Sequence, residues 1–226
     1  MPSKVIVHNT VSLDGSTTGF APDIGLHYEI AGRYNPGLML VGSRTAKTGI
    51  EMFTEEVPVE DESDFNAPEL AVPDTRPYWV IPDSRGIMQD LLHVYRRSEY
   101  CKDVAVLVSK TTACSYLRYL ADRNYEYFVS GEDHVNYREA LATLDERYGP
   151  KVVLTDSGGT LNCMLLQQAL VDEISLLVAP VLVGSHGTNL FRRLEMQNNS
   201  RTPALELIKS EATGSNHVWL AYKVSK

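Results

Sequence analysis

The run Val152-Val153-Leu154-Thr155-Asp156-Ser157-Gly158-Gly159-Thr160-Leu161-Asn162 carries the clearest chemical signal in this chain of 226 residues. An apolar segment gives way to paired glycines and then to what reads as a helix start. Glycine lets the backbone approach a ligand closely, and the first N–H groups of a helix favour an anion. Ser157 and Thr160 add hydroxyls, so the turn suits a pyrophosphate. It is neither Gly-x-Gly-x-x-Gly nor a P-loop, since no Gly-Lys-Ser/Thr follows. A plain strand–helix turn explains the local sequence equally well. Three more apolar runs end in a similar way: Leu40-Val41-Gly42-Ser43-Arg44-Thr45, Val80-Ile81-Pro82-Asp83-Ser84-Arg85 and Val129-Ser130-Gly131. A nucleotide with a 2′-phosphate wants an Arg and a hydroxyl near its ribose, which makes Arg44 and Arg85 candidates. Ligands of open α/β sheets sit at the carboxyl ends of strands, so four such ends argue for one shared cleft.

The elements that must position these turns are legible as short apolar runs. Val5–His8, Leu38–Val41, Tyr78–Ile81, Val104–Val108, Tyr127–Val129, Lys151–Thr155 and Glu173–Ala179 each have the length of a strand buried on both faces. Helical patterns fall between them: Ile87–Arg96, Ser115–Arg123 behind the capping candidates Thr111 and Thr112, Val135–Arg147 ending at Gly149-Pro150, and Leu161–Leu170. This alternation predicts an α/β fold with a mostly parallel sheet and helices on both faces. Ala204–Glu211 and His217–Val224 alternate about a turn at 212–216, which predicts an antiparallel C-terminal hairpin with Val218, Leu220, Tyr222 and Val224 on one side. Residues 51–77, acidic and Pro-rich, fit neither pattern and read as a long insert, either a solvated excursion or a functional loop. No repeat or flexible linker divides the chain, so residues 1–226 read as one domain.

Composition narrows the function. A hydrophobic share of 43% and a charged share of 22% describe an ordinary globular chain. No apolar run is long enough to span a membrane. With 21 basic against 29 acidic residues the net charge is −8, the wrong balance for a general nucleic-acid binder. Any anionic ligand must therefore be held locally. Cys101, Cys114 and Cys163 are widely spaced and odd in number, which excludes a zinc framework and points to reduced thiols. The N-terminus enters a strand-like run without a leader, so a cytoplasmic location is expected. The six His residues show no metal spacing. His8 fits a strand, and His27 could touch a substrate or serve as a structural histidine. No Gly-x-Ser-x-Gly elbow supports a triad.

Taken in order, the motifs resemble the riboflavin-pathway pyrimidine reductases, including the reductase domain of the bifunctional deaminase/reductase, which have a dihydrofolate-reductase-like fold. Val11-Ser12-Leu13-Asp14-Gly15, Val41-Gly42-Ser43-Arg44-Thr45, Asp83-Ser84-Arg85, Asp156-Ser157-Gly158-Gly159-Thr160-Leu161, Leu170-Val171-Asp172-Glu173 and Ala179-Pro180-Val181-Leu182-Val183-Gly184 carry the resemblance. It implies NADPH as hydride donor, a homodimer, no metal and a phosphorylated small-molecule substrate. It implies cofactor contacts at Gly42, Thr45, Ser130, Gly131, Ser157, Gly158, Gly159 and Thr160, with Ser84 and Arg85 near the 2′-phosphate. Asp14 would lie beside the substrate and is the first candidate for a proton source, with Glu29 second. A carboxyl in that role needs a raised pKa. His27, Glu29 and Arg33 are the other substrate-side candidates, and Lys47, Arg192 and Arg193 are further cations for its phosphate. Ser185-His186-Gly187-Thr188 could line the pocket.

Departures from the family pattern are Ser157 in place of a glycine, Gly49 where an acid is usual, and the acidic insert. They leave open a reductase of the same fold acting on a pterin or another small carbonyl or imine, and a non-catalytic nucleotide-binding homologue. No deaminase signature is present. From sequence alone, a bulky residue at Gly159 is expected to abolish cofactor binding without unfolding the chain.

Overall fold

A computed structural model describes residues 3–70, 73–191 and 203–225. In chain order the first elements are β1 (Lys4–Ser12), α1 (Ile24–Arg33), β2 (Leu38–Leu40), α2 (Ser43–Phe53), β3 (Tyr78–Pro82), α3 (Leu92–Arg96), β4 (Val104–Val108) and α4 (Cys114–Asp122). They are followed by β5 (Glu126–Val129), α5 (Tyr137–Tyr148), β6 (Val152–Asp156), α6 (Gly159–Gln167), β7 (Glu173–Ala179), β8 (Leu205–Ala212) and β9 (Val218–Val224). The contacts group these into two compact units, one built from Pro36–Lys151 and one from Ser3–Asn35 with Val152–Lys226.

The Pro36–Lys151 unit is a parallel sheet in the order β5-β4-β3-β2. Every residue of β4, Val-Ala-Val-Leu-Val, is buried, as a strand covered on both faces requires. Parallel neighbours need crossovers, and α2, α3 and α4 supply them. Asn136 caps α5 by accepting from the N–H groups of Arg138 and Glu139, and Gly149 closes it in the left-handed region at φ 56°.

Two helix readings change in this unit. Thr112 does not cap α4; its hydroxyl accepts from Ser109 N instead, and Ala113 holds the cap position. The expected helix over 87–96 is helical only from Leu92. The buried carboxylate of Asp83 captures the N–H groups of Ile87 and Met88, and Asp90 sits at φ 62°. Helix α2 was not expected, and its last three residues, 51–53, shorten the insert.

The stretch of the insert from Pro58 to Asp64 is fastened down. Arg97 pairs with Asp61 and Asp64, Arg123 pairs with Glu60, and His93 meets the carbonyl of Pro58. Asp61 caps a short 3-10 turn at Glu62–Phe65. Beneath it lies Arg96, buried, donating to Asp103, to the carbonyls of Asp64, Arg123 and Asn124, and stacked 3.7 Å from the Tyr125 ring.

The second unit has the order β6-β1-β7-β9-β8. Strands β6, β1 and β7 are parallel, and β9 and β8 form the antiparallel hairpin expected from the C-terminal alternation. On β9 Trp219 and Ala221 are buried, whereas Val218 on the other face is 37% exposed. Trp219 pairs with Leu177 across the ladder, so the two share a face, and that face packs with Ile30 of α1. Helix α1, also unexpected, starts at Asp23, whose side chain accepts from Leu26 N.

Removing Arg96 strands buried polar groups on three segments. Arg96→Ala is expected to lower stability by about 3–5 kcal/mol, the range for breaking a buried ion pair on one side. Urea unfolding followed by circular dichroism measures it, and a loss below about 1 kcal/mol would remove Arg96 as the anchor of the insert.

Candidate functional site

In the second unit the carboxyl ends of β6, β1 and β7 lie side by side, because the three strands are parallel neighbours. The turn after β6 is held by two asparagines that the sequence reading did not single out. Asn9 and Asn162 each donate to the carbonyl of Ser157 at 2.8 Å, and Asn162 also donates to Asn9 Oδ1 and accepts from Thr155. Both amides are buried, and such a network holds only when every member is paired. Helix α6 then begins at Gly158, which brings no capping side chain to the first turn. Gly159 faces inward. A Cβ there would sit 2.3 Å from the carbonyl oxygen of Leu190. The expectation that Gly159→Val spares the fold is therefore corrected: that glycine is required by packing.

Asp14, after β1, accepts from Ser12 Oγ at 2.6 Å, Gly184 N at 2.7 Å and Val183 N at 3.1 Å. The carboxylate thus ties the loop after β1 to the loop after β7, and the Ser16–Asn189 bridge repeats the tie. The Ser12 hydroxyl and those backbone donors pull its pKa down to about 2. A proton source needs the opposite shift, so the geometry favours a turn clamp. Ser185 and His186 form part of a short 3-10 turn, and Thr188 N donates to Thr18.

The start of α1 contributes His27 and Tyr28. His27 is buried with Nδ1 3.0 Å from the Thr10 hydroxyl and Nε2 3.5 Å from Asp156 Oδ1. The Tyr28 hydroxyl donates to Asp156 Oδ2 at 2.9 Å. Burial alone would raise the Asp156 pKa, yet His27, the Tyr28 hydroxyl and His8 outweigh it and hold the carboxyl below its ordinary value. His8 itself is driven down to about 3, by burial first and by neighbouring His27 second, and stays neutral. One turn further along, Glu29 and Arg33 pair with each other at 2.8 Å, and Arg33 also reaches Glu211. These two candidates stand on the hairpin side of α1, each other's counter-ion.

In the Pro36–Lys151 unit, Gly42 is the N-cap of α2, again without a capping side chain, and Thr45 lies half-buried in its first turn. Arg44 is exposed, and Lys47 is 4.0 Å from Glu51. Ser84 Oγ is buried and finds no hydrogen-bond partner among the described residues. Arg85 beside it is exposed and makes no ion pair among them. The Ser130 hydroxyl donates to the carbonyl of Asn136, and a Cβ on Gly131 would meet the carbonyl of His134 at 2.2 Å. That turn offers a ligand backbone more readily than hydroxyl. Arg192 and Arg193 lie outside the described residues.

The family model of the RibD C-terminal domain matches residues 3–219. This chain belongs to the RibD C-terminal domain family. Comparison with curated proteins finds no match. Among solved structures, a pyrimidine reductase-like protein of Corynebacterium diphtheriae is 18% identical with a TM-score of 0.70, and the alignment covers 100% of this chain and 92% of that one. RibD of Acinetobacter baumannii is 19% identical with a TM-score of 0.68, over 100% of this chain and 59% of that one. A dihydrofolate reductase of Enterococcus faecalis, solved with NADP(H), is 11% identical with a TM-score of 0.51, over 99% and 97%. At these identities the structures speak for the fold: this RibD-family chain has the mixed α/β, dihydrofolate-reductase-like architecture.

The residues present fit a dinucleotide phosphate. In the Pro36–Lys151 unit the buried Ser84 hydroxyl has no hydrogen-bond partner among the described residues, and α2 begins without a capping side chain; in the second unit α6 does the same at the end of β6. Among the described residues no group of His, Cys, Asp and Glu is arranged for a metal ion.

Asn162→Ala would remove the donor to Asn9 Oδ1, the acceptor of the Thr155 hydroxyl and one of the two amide donors to the Ser157 carbonyl. The expected destabilisation is about 1–3 kcal/mol, measured by thermal unfolding. An unchanged melting temperature would contradict the role given to Asn162.

Proposed function

We propose that this RibD-family chain is an NADPH-dependent reductase of riboflavin biosynthesis, acting on 2,5-diamino-6-ribosylamino-4(3H)-pyrimidinone 5′-phosphate at C1′ of its ribose. The observation that carries the reading is the family match across residues 3–219. The description of the Corynebacterium neighbour as pyrimidine reductase-like supports it. When bound, the reduced nicotinamide supplies the hydride.

The chain's own residues then have separable tasks. The first-turn N–H groups of α6, with Ser157, Gly158, Gly159 and Thr160, take a phosphate of the dinucleotide. Ser84 and Arg85 take the 2′-phosphate, an oxyanion that suits a planar guanidinium. Gly42 and Thr45 contribute the start of α2, and Ser130 and Gly131 contribute backbone. On the substrate side Asp14 fixes the loop wall. Arg33, already paired twice, is a poor phosphate ligand, and the phosphate falls to other cations.

A second reading keeps the reaction type and changes the substrate to a pterin or another small carbonyl or imine. It is favoured by Gly49, where the resemblance expects an acid. A Cβ at Gly49 would meet Tyr95 Oη at 3.0 Å, so the surroundings are shaped to a residue without a side chain.

A homodimer is supported by β8, which ends its sheet with Leu205, Leu207 and Ile208 exposed; apolar edges of this kind are normally covered. That Cys101, Cys114 and Cys163 form no disulfide supports the cytoplasm.

Loss of NADPH absorbance with the ribosylaminopyrimidine phosphate, against dihydropterin and no-substrate controls, tests the reading. Turnover with the pyrimidine alone is the expected result, and turnover only with a pterin would transfer the assignment to the second reading. Arg85→Ala is expected to weaken NADPH binding about 10-fold or more, the size of a charged hydrogen bond, while leaving NADH binding unchanged. Fluorescence titration of both nucleotides measures this, and equal losses for both would remove Arg85 from the 2′-phosphate.

A further inference from the structure

The reductase reading gives Ser84 and Arg85 to the 2′-phosphate but does not say what gives their loop its shape. Residues 83–91 join β3 to α3 through consecutive turns. Two of them stand in the left-handed region, Gly86 at φ 68° and Asp90 at φ 62°. Asp90 carries a side chain, and a backbone of that kind persists only where its surroundings hold it.

The holding groups come from α4. Buried Tyr116 donates its hydroxyl to Asp83 Oδ2 at 2.8 Å, and the same carboxylate accepts from Ile87 N at 2.9 Å and Met88 N at 2.8 Å. Burial, and then the charge of Asp83, push the Tyr116 phenol far above its ordinary pKa, so it keeps its proton and stays a donor. Its ring is also a wall. A Cβ at Gly86 would lie 3.2 Å from two of the ring carbons. Three residues further along α4, and so on the same face, Tyr119 Oη accepts from Asp90 N at 3.0 Å. The two rings stack with centroids 5.9 Å apart and planes 10° from parallel. Behind them the Arg123 guanidinium lies 4.1 Å from the Tyr119 ring and is itself paired with Glu60. One face of α4 therefore fixes both the beginning and the end of the loop, and the orphaned Ser84 hydroxyl lies within the clamped span.

We propose that Tyr116 and Tyr119 are positioning residues that determine nucleotide choice: through Asp83 and Asp90 they hold the Ser84–Arg85 turn in the shape that takes a 2′-phosphate. The inference rests on the reductase reading for the nucleotide and for the placement of its 2′-phosphate. A phosphate recognised by one hydroxyl and one guanidinium needs both at a fixed separation. A loop that must be ordered on binding loses affinity by the cost of that ordering, whereas a loop ordered beforehand does not. NADH has no 2′-phosphate and does not draw on the turn. Loosening the clamp therefore lowers the preference for NADPH rather than nucleotide binding in general.

Fluorescence titration of NADPH and NADH against the wild type, Tyr116→Phe, Tyr119→Phe and Arg85→Ala makes the test. Tyr116→Phe keeps the ring against Gly86 and removes only the hydroxyl. It is expected to weaken NADPH binding about 5-fold or more and to leave NADH binding unchanged. Amide exchange at Ile87 and Met88 is expected to quicken in the same variant. Combined with Arg85→Ala, its effect on NADPH is expected to be smaller than in the wild-type background, because a guanidinium that is absent cannot be misplaced. A purely structural role would not move the ratio of the two affinities. An unchanged ratio in Tyr116→Phe, or in Tyr119→Phe should the first variant not fold, would overturn the proposal. If Arg85→Ala still lowers NADPH binding selectively, the placement of the 2′-phosphate survives that result. Equal losses for both nucleotides in Arg85→Ala would overturn the placement and the proposal together.

Discussion

Asp156 must carry a negative charge at the end of a strand whose preceding residues Val153, Leu154 and Thr155 are buried. Burial opposes that charge, and the protein answers with a phenol hydroxyl and an imidazole, both from the first turns of α1. The rest of the second unit follows from this constraint. Helix α1 has to lie where His27 and Tyr28 reach β6, so its apolar side must pack on the sheet. Ile30 does so against Leu177 and Trp219. The imidazole in turn must be oriented, and Thr10 of β1 does that. A charge in one place therefore specifies a helix position, a strand neighbour and a core contact.

The same strand ends impose a second requirement. The turn at Ser157 departs from regular structure, so its backbone groups need partners. Asn9 and Asn162 provide them from β1 and α6, and Gly159 makes room for the carbonyl of Leu190. Asp14 performs the comparable task between the loops after β1 and β7. Two carboxylates of similar type thus serve different ends. Asp14 is engaged by the Ser12 hydroxyl and two backbone donors, whereas Asp156 meets side chains and keeps an open side.

Much of this was legible in the sequence, for physical reasons that differ by element. Strands such as Val104–Val108 announced themselves because burial on both faces leaves an unbroken apolar run. The hairpin announced itself by alternation, but its phase did not, since Trp219 and Val218 are both apolar and only the pairing with Leu177 decides which faces the core. Helix α2 was missed because Ser43-Arg44-Thr45-Ala46-Lys47-Thr48-Gly49 reads as a turn, and just Ala46 and Ile50 are buried to hold it. The insert looked solvated because its acids were visible and its partners, Arg97 and Arg123, are distant in sequence. In the site, the Gly-rich turn was found by composition. Asn9, Asn162 and Tyr28 were not, since a single polar residue within a strand or helix gives no local signal of what it will meet. Asp14 was found, but its lowered pKa was not legible, because beside the Ser12 hydroxyl it depends on backbone donors 169 and 170 residues away.

The account places a dinucleotide phosphate on the start of α6. Amide hydrogen exchange across residues 157–163, with and without saturating NADPH, tests that most directly. Slowed exchange in the Ser157–Asn162 amides, with the distant hairpin unchanged, is the predicted result. Exchange at those amides unaffected by bound NADPH would contradict it.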